Sequence, residues 1–137
     1  MTFSLKIFTD GGARGNPGPA AVGVVIFDEH GKGIHRFGRA IGETTNNVAE
    51  YQAVIDALGW VEGQLKKPEI INFFLDSMLV AKQLSGNWKI KQAHLRELAV
   101  RVGTLIGKLG VKVTYTPIPR ERNSEADFLV NQALDKC

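Results

Sequence analysis

The spacing of apolar residues changes along this chain from a strand period to a helical period, and this change restricts the fold to a layered α/β body. Alternating and β-branched residues predict strands at 3–9, 21–27 and 34–41, which we expect to form an antiparallel meander. Capping residues and a helical period then predict a helix over 45–62. The remaining predicted elements are a strand at 70–75, helices at 77–84 and 93–109, a strand at 111–115 and a helix at 124–136. The predicted order is therefore βββαβααβα.

Two segments carry more specific expectations. Glycines and prolines between 11 and 19 predict a loop directly after the first strand. The nearly continuous apolar run at 70–75 predicts a strand that is buried on both faces, as parallel strands usually are. We find neither repeats nor low-complexity tracts, so we expect the function to reside in this one body.

Size and composition fit a single globular domain over 1–137. The chain has 137 residues, 44% of them hydrophobic and 23% charged, which argues against disorder, a coiled coil or two enzymatic domains. The longest apolar run is too short to span a bilayer, and Lys6 and Asp10 interrupt any signal sequence. The one cysteine, Cys137, cannot form an internal disulfide. These features predict a cytoplasmic protein without membrane association.

Two aspartates stand at the ends of predicted strands. Asp10 closes the first strand and Asp76 follows the fourth, and a mixed sheet would bring both to one edge. Either aspartate alone could simply cap the following turn. The pair is more informative, because ligand sites of open α/β sheets lie at this edge.

Glu50 and Asp127 are more unusual, since each lies on the apolar stripe of its predicted helix. An ionised carboxylate in such a place costs several kcal/mol unless it is paired. One explanation is a buried ion pair with Arg120 or Arg122. The other is that all four acids converge around cations.

Converging acids require cations, because two charges about 4 Å apart repel by roughly 4 kcal/mol at an effective dielectric near 20. Ligation by carboxylates without histidine or cysteine selects Mg²⁺ or Mn²⁺ and argues against zinc. Two such ions support hydrolysis of a phosphodiester. The residues alone therefore point to a metal-dependent nuclease.

Four motifs occur in order along the chain: TDGGARGNPG at 9–18, TNNVAE at 45–50, LDS at 75–77 and NSEAD at 123–127. Together they resemble type 1 ribonuclease H over essentially the whole chain. The resemblance implies a ribonuclease H-like α/β fold, with a five-stranded mixed sheet and helices on both faces. It also implies an endonuclease that cleaves the RNA strand of RNA/DNA hybrids and leaves 5′-phosphate and 3′-hydroxyl ends.

The same resemblance assigns the site residues. It implies two metal ions, with Asp10 bridging both, on the ligands Asp10, Glu50, Asp76 and Asp127. It implies that the RNA strand is gripped after the first strand and at the start of the first helix, by Gly12, Ala13, Arg14, Asn16, Asn46 and Asn47. Contacts to the DNA strand map onto Trp88, Lys89 and Lys91. Trp88 could instead be a core anchor, and we expect Trp60 to serve packing.

The chain departs from the family pattern in two places. Many members carry a histidine before the last aspartate, but none occurs between Pro117 and Asp127, and we favour Arg120 as the substitute that attracts the scissile phosphate. We expect His30 in a hairpin turn, His35 in a strand and His94 at a helix start. The short run 88–94 also leaves no room for the basic protrusion seen in some members.

Three alternatives to a hybrid-specific nuclease remain open from the sequence. They are a broader nuclease that also cuts double-stranded RNA, a non-catalytic hybrid-binding module, and a DNA junction resolvase, which the RNA-gripping motifs do not support. No obligate protein partner is implied. The net charge of +3 is modest, but grouping four acids in one site leaves the remaining surface more basic and suited to phosphate contacts.

Overall fold

A five-stranded mixed sheet organises the computed structural model, which describes residues 3–136. The strands are β1 (Ser4–Ala13), β2 (Gly18–Phe27), β3 (Gly33–Thr44), β4 (Ile70–Leu75) and β5 (Lys112–Pro117). They lie in the order β3-β2-β1-β4-β5. β2 is antiparallel to both of its neighbours and β4 is parallel to both of its own. The predicted meander and mixed sheet are confirmed, while Cys137 lies outside the described residues.

Helices cover both faces of this sheet. They are α1 (Asn46–Glu62), α2 (Met78–Leu84), α3 (Ala93–Leu109) and α4 (Ser124–Asp135), and a 3₁₀ turn at Arg120–Arg122 precedes α4. α1 and α3 enclose the main core on one face, and α4 packs on β1, β2 and β3 on the other. Apart from the short turn, the element order is the predicted βββαβααβα.

Local chemistry fixes where the helices begin and end. Thr45, which we predicted as a capping residue, and Ser77, which we predicted as the first residue of a helix, are N-caps, because their hydroxyls accept the backbone N–H groups of Val48 at 3.3 Å and Val80 at 3.2 Å. Gly110 ends α3 in a left-handed conformation with φ of 64°. The helix boundaries therefore agree with the sequence to within one residue.

The loop predicted at 11–19 is confined to residues 14–17, because β1 continues through Gly11, Gly12 and Ala13 and β2 begins at Gly18. Gly11 serves close packing here. A Cβ on Gly11 would lie 2.2 Å from the carbonyl carbon of Ala49 in α1. Asp10 consequently lies inside β1 and not at its end, because the residues on either side of it also pair with β2.

Burial of β4 on both faces is also wrong. Ile71, Phe73 and Leu75 point into the main core, whereas Asn72 and Phe74 on the opposite face are partly exposed. The reason is that α4 packs over β1–β3, on the far side of β1 from β4.

The isolated aromatic residues and histidines lie as expected. Trp60 packs against the main core and stacks on His35 at a ring-centroid distance of 4.9 Å. His30 lies in the turn between β2 and β3, and His94 lies in the first turn of α3. Within residues 3–136, no helix has the length and hydropathy needed to cross a membrane.

Candidate metal centre and active site

Parallel pairing of β1 and β4 places Asp10 beside Asp76. Phe8 and Phe74 are register partners, and each aspartate follows two residues later along the chain. Side chains two residues apart on a strand share a face, so both carboxylates lie on the face that α4 covers. Asp10 is 7% exposed, and Asp76 is partly exposed just beyond the end of β4.

Glu50 reaches the same place from α1. It is also 7% exposed, and its Oε1 accepts the backbone N–H of Gly11 at 2.6 Å. This bond depends on the close approach of α1 to β1, which only a residue without a side chain permits at Gly11. Carboxylate oxygens of Asp10, Glu50 and Asp76 consequently lie within 4.8 Å of one another.

Asp127, on α4, is the fourth acid beside this group. It shares the stripe of Val130 and Leu134, as predicted, and all three line the same cavity as Asp10. α4 comes this close because two glycines lie beneath it. A Cβ on Gly23 would lie 2.2 Å from a carbonyl oxygen in α4, and one on Gly38 would lie 2.5 Å from another.

Burial and mutual repulsion raise the pKa values of these acids. Burial, followed by the negative charges of Asp76 and Asp127, raises the pKa of Asp10 from 3.8 to about 8. Burial and the charges of Asp10 and Asp76 hold the pKa of Glu50 well above its ordinary value. Burial also raises the pKa of Asp76, although the nearby positive charge of Arg120 opposes the shift. The fully ionised cluster is therefore unstable unless a cation joins it.

The buried ion pair considered from the sequence is absent from the described part of the chain. No arginine or lysine nitrogen there lies within 4.0 Å of the carboxylates of Asp10, Glu50, Asp76 or Asp127. The donor set consists of carboxylate oxygens that face one another without a cationic side chain. Such a set fits hard divalent cations such as Mg²⁺ or Mn²⁺.

A cavity of about 600 Å³ opens over the acids. Its rim brings together most of the residues predicted to grip the RNA strand, and it also includes Arg120. The predicted residues on this rim are Gly12, Ala13, Arg14, Asn46 and Asn47. Asn16 stands behind the rim and supports it.

The asparagines join the β1–β2 hairpin to α1. Oδ1 of Asn46 accepts the backbone N–H of Ala13 at 2.8 Å, and Oδ1 of Asn16 accepts the backbone N–H of Asn46 at 3.0 Å. Their oxygens are thus used inside the protein, which leaves the amide N–H groups as donors toward a ligand. These residues therefore hold the rim in shape as well as being available for contact.

Arg14 is held at the rim by α4. Its guanidinium lies 2.7 Å from a carboxylate oxygen of Asp135 and 3.4 Å from Oδ1 of Asn131. Both side chains of the ion pair are about half exposed or more, so the pair is weak enough to exchange for another anion.

The residues predicted to contact the DNA strand lie outside this cavity. Trp88, Lys89 and Lys91 are exposed on the connection between α2 and α3, and Trp88 is 46% exposed, so it is not a core anchor. The buried side chain of Gln83 supports this connection, because it accepts the hydroxyl of Tyr51 at 2.7 Å and donates to the carbonyl of Lys89 at 3.5 Å.

Sequence reasoning gave no role to Asn123, which the structure places beside the acids. Its side chain is almost fully buried, donates to the carbonyl of Thr9 at 2.9 Å, and favours the ionised form of Asp76. It makes no capping hydrogen bond for α4. The available signal was the Asn123–Ser124 pair, since two successive capping residues leave one of them free for another use.

Comparisons with known proteins agree with this geometry. A family model described as reverse transcriptase-like matches residues 8–133. Ribonuclease HI of Halobacterium salinarum is 40% identical over 96% of this chain and 64% of its own length, and the bifunctional protein Rv2228c of Mycobacterium tuberculosis is 40% identical over 97% of this chain. The chain spans only 36% of the length of that mycobacterial relative. The solved structure of LC11-RNase H1 in complex with an RNA/DNA hybrid has a TM-score of 0.92 and 43% identity, covering 96% of this chain and 97% of its own.

Proposed function

This chain belongs to the type 1 ribonuclease H family, and from that premise we propose that it is an endonuclease that hydrolyses the RNA strand of RNA/DNA hybrids. The observation that carries the proposal is the convergence of Asp10, Glu50 and Asp76 at the floor of an open cavity. A module that only binds hybrids has no need for buried acids with raised pKa values, because such acids cost stability. The domain extent of 1–137 and the cytoplasmic location remain predictions.

Asp10, Glu50, Asp76 and Asp127 would together hold two Mg²⁺ or Mn²⁺ ions. Bound there, such ions supply Lewis-acid stabilisation of phosphate charge and a nucleophile from water. Asp10 is the central ligand, because it interacts with each of the other three acids and its side chain hydrogen-bonds both Glu50 and Asp127. Hydrolysis that breaks the bond between phosphorus and the 3′ oxygen leaves the 5′-phosphate and 3′-hydroxyl ends of the proposal.

The surrounding residues orient the substrate. Amide groups of Asn46 and Asn47 line the cavity, where they can donate to a 2′-hydroxyl or to a base edge in the minor groove, and the backbone of Gly12 and Ala13 lines the cavity beside them. The 2′-hydroxyl distinguishes RNA from DNA, so this rim favours cleavage of the RNA strand. Arg120 lines the same cavity and attracts the phosphate.

A cleavage assay tests the proposal directly. A labelled RNA/DNA hybrid is incubated with the chain and Mg²⁺ or Mn²⁺, and duplex RNA of the same sequence is the comparison substrate. We expect cleavage of the hybrid that is lost in Asp76→Asn and kept in Asp28→Asn, a matched change in the turn after β2. Cleavage that survives Asp76→Asn, or its absence from the unaltered chain, would show that the proposal is wrong.

A further inference from the structure

One face of β4 and β5 is not covered by any helix within residues 3–136. α4 packs over β1, β2 and β3, whereas the side chains of β4 and β5 that point to this side are exposed or partly exposed. They are Ile70, Asn72 and Phe74 on β4, and Lys112, Thr114 and Thr116 on β5. This surface lies on the same side of the sheet as Asp10 and Asp76.

Three phenylalanines, Phe8, Phe27 and Phe74, form an aromatic platform that extends from the edge of the core under α4, against which Phe8 and Phe27 pack, onto that surface. The rings of Phe8 and Phe74 stack with centroids 5.0 Å apart, and Phe27 meets Phe8 edge-on at 5.7 Å. All three are partly exposed. Thr116, the register partner of Phe74, is small and exposed, so it leaves the outer side of the Phe74 ring open.

Unpaired cations border the aromatic platform. Lys6 and Lys112 are exposed on this face of β1 and β5, and Arg122 lines a cavity of about 140 Å³ with Phe8 and Phe27. None of the three has an ion-pair partner among residues 3–136. The acid that lines the same cavity, Glu125, is already paired with Arg36 at 3.0 Å. The platform therefore favours an anionic ligand.

Polar groups between Lys6 and Lys112 can hydrogen-bond such a ligand. Asn72 is the register partner of Lys6, and its Oδ1 accepts the hydroxyl of Thr114 at 2.8 Å. The amide N–H groups of Asn72 are left as donors toward the open side. Aromatic rings with flanking cations and amides are the combination that binds single-stranded nucleic acid, since unpaired bases stack and phosphates are neutralised.

Resting on the proposed function, we propose that the aromatic platform binds a single-stranded extension of the hybrid substrate. Phe8 and Phe74 lie only two residues before Asp10 and Asp76, a distance of about 7 Å along each strand. The turn at Arg120–Arg122 separates the two surfaces, with Arg120 lining the catalytic cavity and Arg122 lining the cavity at the platform. A strand that leaves the catalytic cavity across this turn reaches the platform within a few nucleotides.

A duplex or a second copy of this chain fits the platform less well. Bases within a duplex stack on one another and offer no free faces to Phe74. A second copy docked by the same surface would bring Lys6, Lys112 and Arg122 toward their own counterparts, which is unfavourable.

Binding and kinetics test the platform together. Fluorescence anisotropy measures the affinity for a labelled single-stranded oligouridylate, and kinetics give the ratio of KM for a blunt hybrid to KM for a hybrid with a 5′ or 3′ unpaired extension. We expect a ratio above one for at least one extension. Phe74→Leu should weaken single-strand binding about fivefold or more and bring the ratio toward one. The double variant Lys6→Ser with Lys112→Ser should act in the same direction.

Controls separate this proposal from folding defects and from the proposed function. Lys66→Ser with Lys108→Ser removes the same charge from the helical side and should change neither readout, and circular dichroism checks that each variant folds. An active chain with a ratio of one for both extensions would overturn the platform alone. A chain that binds the single strand through Phe74 but cleaves no hybrid would overturn the proposed function alone. Self-association that the platform variants abolish, without an effect on single-strand binding, would make this surface an interface between copies.

Discussion

Individual acids of the site link folding to pH. The pKa of Asp10 rises from 3.8 to about 8 on folding, so the folded chain holds a proton that the unfolded chain releases. The resulting stability is fully present below about pH 4 and is lost as pH rises toward 8. We expect the free energy of unfolding in EDTA to be lower near pH 9 than near pH 5, and Mg²⁺ to restore more of it near pH 9. Denaturant titrations at both pH values check this, and equal metal effects would contradict it.

Asp10→Asn separates the effect of the Asp10 carboxylate on stability from its role as a metal ligand. The change removes one of the repelling charges, so we expect the metal-free melting temperature near pH 9 to stay the same or rise by a few degrees. Turnover should fall by about a hundredfold or more, since even residues that only support metal ligands cost up to that factor. Thermal melts in EDTA and hybrid cleavage are the measurements. A clearly lower melting temperature would show that Asp10 has a structural partner instead.

We expect Arg120 to take the place of the loop histidine that many family members carry. It lines the catalytic cavity and opposes the raised pKa of Asp76. We expect Arg120→Ala to lower kcat about tenfold or more while KM changes less, and Arg120→Lys to recover part of the loss. Arg122→Ala, two residues along the same turn, is the matched control with unchanged kcat on blunt hybrid. An unaltered kcat in Arg120→Ala would show that Arg120 does not take the place of the loop histidine.

The contact between β1 and α1 carries the geometry of the site at the level of elements. Gly11 brings the start of α1 against β1 and donates to Glu50, so we expect Gly11→Ala to push α1 away. Overpacking of this kind costs about 1–3 kcal/mol of stability, and activity should fall further than stability because Glu50 moves from Asp10. Gly59→Ala, on the same helix as Glu50, is the control, since a Cβ there would meet nothing within 4 Å outside the helix backbone. Urea melts and cleavage rates that are equal in the two variants would contradict this role.

The same contact explains which elements the sequence could predict. Periodicity placed the helices within one residue, because amphipathic faces and caps are local properties. It ended β1 too early, since Gly11 and Gly12 indicate a loop when considered locally, yet Gly11 is required by the close approach of a helix 38 residues further along the chain. It also overestimated the burial of β4, because the position of α4 across the sheet depends on Gly23 and Gly38. The sequence pattern therefore did not predict where a helix packs closely against a strand that is distant in sequence.

For the site, the sequence predicted the four acids from their positions on strands and helical stripes. It did not predict the support around them, such as the bond from Asn123 to Thr9 or the joining of Asn16 and Asn46 across the rim. These contacts connect segments that are far apart in sequence, and an asparagine near a turn has many possible partners.

The charge distribution of the whole molecule determines how it holds a hybrid. With four acids gathered in one cavity, the cations outside it are the surface that phosphates meet, and the exposed Lys89 and Lys91 lie on the connection between α2 and α3 beside Trp88. Because no basic protrusion adds further contacts, the removal of these two lysines should have a large effect on hybrid affinity. We expect Lys89→Ser with Lys91→Ser to weaken hybrid binding and to reduce the slope of log affinity against log salt by about one for each phosphate that is no longer neutralised.

Anisotropy of a labelled hybrid with the Asp76→Asn variant measures that slope without turnover. The control is again Lys66→Ser with Lys108→Ser, which changes the net charge equally but lies away from the connection. If long-range attraction by net charge alone governed binding, both pairs would weaken it alike. A change confined to the Lys89 and Lys91 pair would instead place the hybrid backbone at the connection between α2 and α3. An equal change in both pairs would remove these lysines from the binding surface and leave hybrid affinity to the rim of the catalytic cavity.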